Sequence, residues 1–343
     1  MNDLCRTFLF VIILGWMVYF FILPILLFIQ LRLGSVKLEK VILGNTKIEV
    51  SRLCFGSLTM TPFQANLSVK EGAYLINYAF DKGINFLDTA EIYENYNYIR
   101  EALKGIKREE YIIATKTYAY TKEMAERSLE LALREIGTDY IDIFLLHEQE
   151  SIHTIRGHYE AIEYFLKAKE MGKIRAFGIS THKIAGVLGA KEFKEIEVVH
   201  PIINKYGIGI LDGTINEMLK ELEDLNALGK GIYGMKPLGG GHLIRNVEEA
   251  FNFVKEIPYV HSIAIGLQSI EEINANISLL EKGYIPEDIK KTLKKKNRKL
   301  IVADYCIGCG KCVKRCKQEG ITIIDNHAVP NDKCILCGYC ATT

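Results

Sequence analysis

Four side chains in the first half of the chain are of types that can move a proton: Asp88, Tyr93, Lys116 and His147. Asp88 ends the apolar run Gly83-Ile-Asn-Phe-Leu-Asp88, and Tyr93 follows on the loop. Lys116 ends Tyr111-Ile-Ile-Ala-Thr-Lys116, and His147 ends Tyr140-Ile-Asp-Ile-Phe-Leu-Leu-His147. A carboxylate at the end of a buried strand is costly unless a cation pairs with it. A free phenol, with a pKa of about 10, is a reluctant acid at neutral pH. An ammonium beside it favours the phenolate, and a carboxylate keeps that ammonium charged and aimed. These four residues together would make a proton donor, provided that the ends of three separate strands meet.

Such a meeting requires a particular architecture. Strand-like apolar runs alternate with amphipathic helical patterns over Ser68–Lys82, Thr121–Ile136 and His158–Met171, the second capped by Thr121 and stopped by Gly137. That alternation predicts a parallel sheet, and about eight strands can be counted, the last near Ile263–Gly266. The fold class expected is α/β, a (β/α)₈ barrel in which successive strand ends meet around one mouth. Val41–Val50 reads as a hairpin turning at Gly44-Asn45 that closes the bottom of the barrel. Leu53–Ser57 reads as the first barrel strand, with Gly56 leaving room for a cofactor and Cys54 as a small core residue. No G-x-G-x-x-G follows that strand, which argues against a dinucleotide fold of the Rossmann kind.

Over residues 36 to 285 the chain resembles the aldo/keto reductase family, whose catalytic Asp, Tyr, Lys and His occur in this order and context. The resemblance implies hydride transfer from NADPH or NADH to a small-molecule carbonyl. Tyr93 would be the acid, Lys116 its activator, Asp88 the orienter of Lys116, and His147 the donor that poses the carbonyl. It also implies cofactor contacts from Gly56 and Ser57, and from Ser180 and Thr181, where Thr181 replaces the family's Asn. Met235, Lys236 and Leu238 match the stretch covering nicotinamide and pyrophosphate, with Met235 in place of the usual stacking aromatic. Gly266, Gln268, Ser269, Glu272 and Asn276 match the adenosine segment. Basic residues that usually hold a ribose phosphate are missing there, so NADH competes with NADPH. His182, His200 and His242, near strand ends, are read as satisfied polar residues.

Seven of the nine cysteines lie after residue 305, and the odd total argues against a disulfide framework. Cys306-x2-Cys309-x2-Cys312-x3-Cys316 has the spacing of the bacterial ferredoxin run. Cys334, Cys337 and Cys340 begin a second run. In two-cluster ferredoxins the fourth cysteine serves the other cluster, so Cys316 is expected to join Cys334, Cys337 and Cys340. One or two [4Fe-4S] clusters are expected, with zinc as the rival metal. The trio Cys306, Cys309 and Cys312 lacks a fourth thiolate. Either the chain stops just before it, or that site is a [3Fe-4S] cluster or takes a non-cysteine ligand. Hydride moves two electrons and such clusters move one, so the module serves a redox partner protein, a stepwise reduction or stability alone. The expected organisation is an apolar leader (1–35), the barrel (36–285), a basic linker helix (286–300) and a ferredoxin-type module (301–343).

Composition narrows the partners. Lys plus Arg (43) nearly balances Asp plus Glu (42) among 343 residues, so no global field points to nucleic acid. The basic run Lys290–Lys299 is short, without interleaved aromatics, and reads as a solvated helix. Phe8–Ile29 carries no charge and is long enough to span a bilayer. Arg32, Lys37 and Lys40 after it would place the rest of the chain on the cytoplasmic side. The same run reads equally as a leader translated from a start set too far upstream. Thiolate-bound clusters favour a reducing compartment. Two non-reductase readings stay open, a nucleotide-binding regulatory protein and an electron-transfer subunit that uses the barrel as scaffold.

Overall fold

A computed structural model of the chain describes residues 38–62, 64–294, 300, 302–316, 318–334 and 340. The apolar run Phe8–Ile29 and Cys337 lie outside them. Among the described residues no helix is long and apolar enough to cross a membrane.

A hairpin of β1 (Lys40–Ile42) and β2 (Glu49–Ser51) comes first, with Val41 paired to Val50. Eight strands follow: β3 (Leu53–Gly56), β4 (Phe86–Asp88), β5 (Ile112–Thr117), β6 (Ile141–Leu146), β7 (Ile174–Thr181), β8 (Val198–Pro201), β9 (Gly231–Met235) and β10 (Ser262–Gly266). All neighbours are parallel, and β10 pairs with β3 through Ile263 and Leu53 to close an eight-stranded barrel. The expected (β/α)₈ barrel is therefore observed.

The outer ring holds α1 (Val69–Asp81), α2 (Tyr96–Ala102), α3 (Lys122–Ile136), α4 (Ile152–Gly157), α5 (Tyr159–Glu170), α6 (Ile184–Glu192), α7 (Ile215–Ala227), α8 (Val247–Lys255) and α9 (Ile270–Lys282). Local sequence sets their ends. Ser68 and Glu71 form a reciprocal capping box at the start of α1. Thr121 accepts the Met124 N–H at the start of α3, and Gly137 ends that helix in the left-handed region.

Side-chain alternation divides the strands into two cores. Leu53, Phe55, Leu87, Ile113, Phe144, Phe177, Val199 and Ile263 face the helices. Cys54, Phe86, Ala114, Ile143, Leu145, Ala176, Val198, Tyr233 and Ala264 fill the barrel interior. Burial pushes the Cys54 thiol pKa well up, with Asp88 adding to the rise, so Cys54 is a core residue and not a nucleophile.

The hairpin closes the floor, as its sequence suggested. Leu43, Ile48 and Val50 are fully buried and belong to the interior cluster. Gly44 has φ +54°, and a Cβ there would come within 2.3 Å of the Gly231 backbone nitrogen. Asn45 N–H then donates to the Gly229 carbonyl at 2.8 Å, tying the turn to the start of β9. Past the barrel come α10 (Glu287–Lys294), α11 (Lys311–Arg315) and a second hairpin, β11 (Ile321–Ile324) with β12 (His327–Pro330).

Leu43→Ala removes a fully buried side chain that few neighbours can replace. Chemical denaturation should show a loss of about 2–5 kcal/mol, whereas a plug that merely rests on the barrel would cost well under 1 kcal/mol.

Candidate active site

Alternation places the four sequence-selected side chains at the mouth. Asp88 stands two residues beyond Phe86, Lys116 two beyond Ala114 and His147 two beyond Leu145, so each continues an inward-facing row. Lys116 and Asp88 are 1 % and 5 % exposed. Lys116 Nζ donates to Asp88 Oδ1 at 2.7 Å and to the Thr89 carbonyl at 2.7 Å. Burial opposes the Lys116 charge, but the Asp88 carboxylate outweighs it and holds the ammonium pKa above its ordinary value.

Lys116 Nζ lies 5.2 Å from the centroid of the Tyr93 ring. The loop that carries Tyr93 is fixed from below. Thr89 Oγ1 donates to Asn95 Oδ1 at 2.6 Å, and Asn95 Nδ2 donates to Ser57 Oγ at 2.9 Å. Ser57 Oγ in turn donates to the Asp88 carbonyl at 2.8 Å. From the sequence, the ammonium is expected to lower the phenol pKa. Here burial pushes the Tyr93 pKa up, Lys116 pulls against it without winning, and Asp88 and Glu148 add to the rise. The phenol is a loaded proton donor through neutral pH, and Lys116 moderates how reluctant it is.

His147 packs edge-on to Tyr93, with centroids 6.1 Å apart, and stacks on Tyr118 at 4.6 Å. Tyr118 is anchored by its hydroxyl, which donates to Glu148 Oε2 at 2.7 Å. Burial, and then the nearby Lys116, depress the His147 pKa to about 2, so the imidazole is neutral. A neutral imidazole beside a protonated phenol can offer two hydrogen bonds to one carbonyl oxygen.

The residues expected to hold a cofactor divide into two groups. Met235, Lys236 and Leu238 lie at the end of β9 and in its loop, partly exposed, with Lys236 at φ +55°. Lys236 Nζ lies 3.1 Å from His182 Nε2, and burial lowers the pKa of both groups, that of His182 to about 4. Gly266 ends β10, and Gln268, Ser269, Glu272 and Asn276 lead from it into α9. Ser269 caps that helix, and Glu272 Oε2 accepts the Gln268 N–H at 2.8 Å. The buried Oδ1 of Asn276 has no hydrogen-bond partner, which leaves an acceptor for a bound amino group. On that observation the segment fits an adenine nucleotide.

Three further expected contacts have local partners. Thr181 Oγ1 accepts the Lys183 N–H at 3.0 Å and donates to the Lys183 carbonyl at 3.1 Å. Ser57 is fully buried within the loop clamp. A Cβ on Gly56 would come within 3.0 Å of the Ile265 carbonyl oxygen. Ser180 keeps its strand-end position, its Oγ accepting the Glu148 N–H at 2.9 Å. Sequence reasoning overlooked Asn95, Tyr118 and Glu148, which lie on loops, and Tyr233, which lies inside the barrel and whose inward parity was the signal available. His200, read as a satisfied polar residue, has its Nδ1 2.6 Å from the Tyr233 carbonyl oxygen.

In the C-terminal module the Ala328 N–H donates to Cys306 Sγ at 3.4 Å, and the Gly320 N–H donates to Cys316 Sγ at 3.3 Å. A Cβ on Gly320 would fall 2.6 Å from Cys334 Cα, so the Cys316 turn lies against Cys334. The expected gathering of thiols is not reached, however. Among the described residues no three His, Cys, Asp or Glu are placed to hold a metal ion, Cys306, Cys309 and Cys312 included.

A sequence profile of the aldo/keto reductase family matches residues 52–257. A probable aldo-keto reductase of Glycine max is 28% identical over 232 residues, 58% of this chain and 62% of that protein. L-galactose dehydrogenase of Arabidopsis thaliana is 27% identical over 218 residues, covering 60% and 67%. The uncharacterized oxidoreductase YqkF of Bacillus subtilis is 25% identical over 305 residues, covering 73% and 94%. Thus the chain spans about two thirds of the length of the first two relatives. An aldo-keto reductase of Bacillus halodurans, solved in its holo form, superposes with a TM-score of 0.62 at 22% identity, over 78% of this chain and 99% of that one. At that identity the likeness speaks for the fold.

Asp88→Ala would leave the buried Lys116 ammonium with neutral partners alone, the Thr89 carbonyl and Tyr93. Equilibrium denaturation at neutral pH should show a loss of about 3–5 kcal/mol. A loss below 1 kcal/mol would mean that the pair is solvated.

Proposed function

This chain belongs to the aldo/keto reductase family, and we propose that it reduces an aldehyde or ketone with NADPH or NADH, Tyr93 supplying the proton. The observation that carries the reading is the buried Asp88–Lys116 pair with its ammonium 5.2 Å from the Tyr93 ring. When bound, the reduced nicotinamide supplies a hydride to the carbonyl carbon. Tyr93 Oη gives its proton to the carbonyl oxygen, so that an alcohol forms. Lys116 stabilises the phenolate left behind until solvent returns the proton. His147 orients the oxygen and stays neutral throughout. Lys236 and the loop after β9 would hold the cofactor's pyrophosphate, and Ser269, Glu272 and Asn276 its adenosine. The proposed barrel spans 36–285.

The C-terminal residues 301–343 we read as an iron–sulfur module. The ferredoxin spacing, the two N–H···S bonds and the contact of the Cys316 turn with Cys334 support it. No step of carbonyl reduction is routed through it, and a redox partner protein is its expected client. Anaerobic reconstitution with iron and sulfide should give a brown protein whose iron content drops by about half when Cys316→Ser and Cys334→Ser are combined. A colourless, zinc-retaining protein would overturn this part of the reading.

Turnover of an aldehyde and ketone panel, followed by cofactor absorbance, tests the reductase. Tyr93→Phe should lower kcat by about 10²–10⁴-fold, and turnover indifferent to that change would sink the reading. The pH profile of kcat/KM for reduction is a second test. The Tyr93 pKa lies above the ordinary phenol value, and the active form is the protonated one. Activity should therefore persist to about pH 10 and fall only above it. His147 at about 2, and His182 and His200 at about 4, leave no limb near the usual histidine value of about 6.5.

A further inference from the structure

Tyr233 lies in β9, two residues before the strand end, and is fully buried among the apolar residues that fill the barrel. A phenol in such surroundings must find a partner for its hydroxyl. Tyr233 Oη donates to Asp88 Oδ2 at 3.0 Å, the oxygen that Lys116 does not take. The ring is held on both sides. It stacks on His200, with centroids 3.9 Å apart and planes within 13°, and tilts against Phe86 at 5.0 Å. His200 Nδ1 lies 2.6 Å from the Tyr233 carbonyl oxygen, and His200 Nε2 stays 3.9 Å from Asp88 Oδ2, beyond hydrogen-bond range.

We propose that Tyr233 is a positioning residue of the reduction: its hydroxyl fixes the orientation of Asp88, and through Asp88 it sets how strongly the Lys116 charge acts on Tyr93. The proposal rests on the reductase reading of the site. A carboxylate bonded on one oxygen can turn about its Cβ–Cγ bond, and bonds on both oxygens fix its plane. The Tyr233 hydroxyl also draws on the carboxylate's negative charge. Without it, Asp88 Oδ2 would face only His200, and the whole charge would bear on Lys116. Less of the ammonium's field would then reach the phenol, and its proton would be harder to release. A phenylalanine would fill nearly the same volume and keep both ring contacts, so the oxygen atom is what the Asp88 contact requires.

The charged and polar groups facing Tyr93 are Lys116 and Asp88 from the strand ends, Tyr118 and Glu148 from the loops after β5 and β6, the His147 ring and, farther off, Tyr233. Those facing Tyr233 are Asp88, Cys54, His200 and, farther off, Tyr93. Tyr233→Phe alters only the Asp88 contact in this set.

In the full-length protein, Tyr233→Phe should lower kcat about tenfold with KM changed less than about twofold. Ionisation of Tyr93 is read directly by ultraviolet difference titration, each protein against its own Tyr93→Phe counterpart. Its midpoint should rise by about half a pH unit or more in Tyr233→Phe. In an Asp88→Asn background, Tyr233→Phe should change neither kcat nor the midpoint, because the hydroxyl acts only through the carboxylate. Tyr233→Leu, which also lacks the hydroxyl, gives the titration a second variant if the phenylalanine protein does not fold. An unmoved midpoint in a folded variant, or an equal loss of kcat in both backgrounds, overturns the proposal. Absence of carbonyl turnover in the wild-type protein would instead count against the reductase reading, while the titration still decides the role of Tyr233.

Discussion

A lysine ammonium buried inside a barrel must have an anion beside it, and the upper half of this molecule is arranged around that requirement. Lys116 carries three N–H donors. Two of them are met by Asp88 Oδ1 and the Thr89 carbonyl, within hydrogen-bond range on one side. The Tyr93 ring lies on the other. Remove the carboxylate and the cation becomes a defect; remove the cation and the carboxylate becomes one. Because each charge answers the other, a strongly polar group can sit beside an apolar core without being hydrated.

The barrel makes that pairing geometric. The inward row that supplies Phe86, Ala114 and Leu145 to the interior supplies Asp88, Lys116 and His147 one step higher. Tyr93 is not on a strand, so its position rests on the Ser57–Asn95–Thr89 hydrogen bonds that fasten its loop to the ends of β3 and β4. The same low-dielectric surroundings that strengthen the ion pair raise the phenol pKa, since burial penalises any charge that is not directly matched. The site thus holds a fixed cation and a neutral acid side by side.

Much of this was legible in the sequence because strands announce themselves by period two and by what ends them. Asp88, Lys116 and His147 each close an apolar run, and the alternation of strand and helix implied that such ends converge. Burial alone would not have singled them out. Asp142 is also a fully buried acid on a strand, yet Arg108 and Arg175 take both of its oxygens, and it belongs to the structural framework. Less legible were contacts made by hydroxyls and carboxamides. The turn bonds between the Thr181 hydroxyl and Lys183 and the clamp of Thr89, Asn95 and Ser57 carried no signal in the sequence. A short polar side chain has many partners within reach, and only three-dimensional proximity selects among them. The cysteine spacing after residue 305 was legible, but spacing fixes reach and not pose, and among the described residues no three ligand-type side chains are gathered for a metal ion.

The hairpin at the base carries a consequence for traffic. Leu43, Ile48 and Val50 seal the end of the barrel opposite Tyr93 and His147, and the inward side chains above them fill the interior. Nothing can therefore reach the ion pair from below. Every arrival and departure runs past the loops that carry Tyr93 and Glu148, so the rim, not the shaft, sets who enters and how fast.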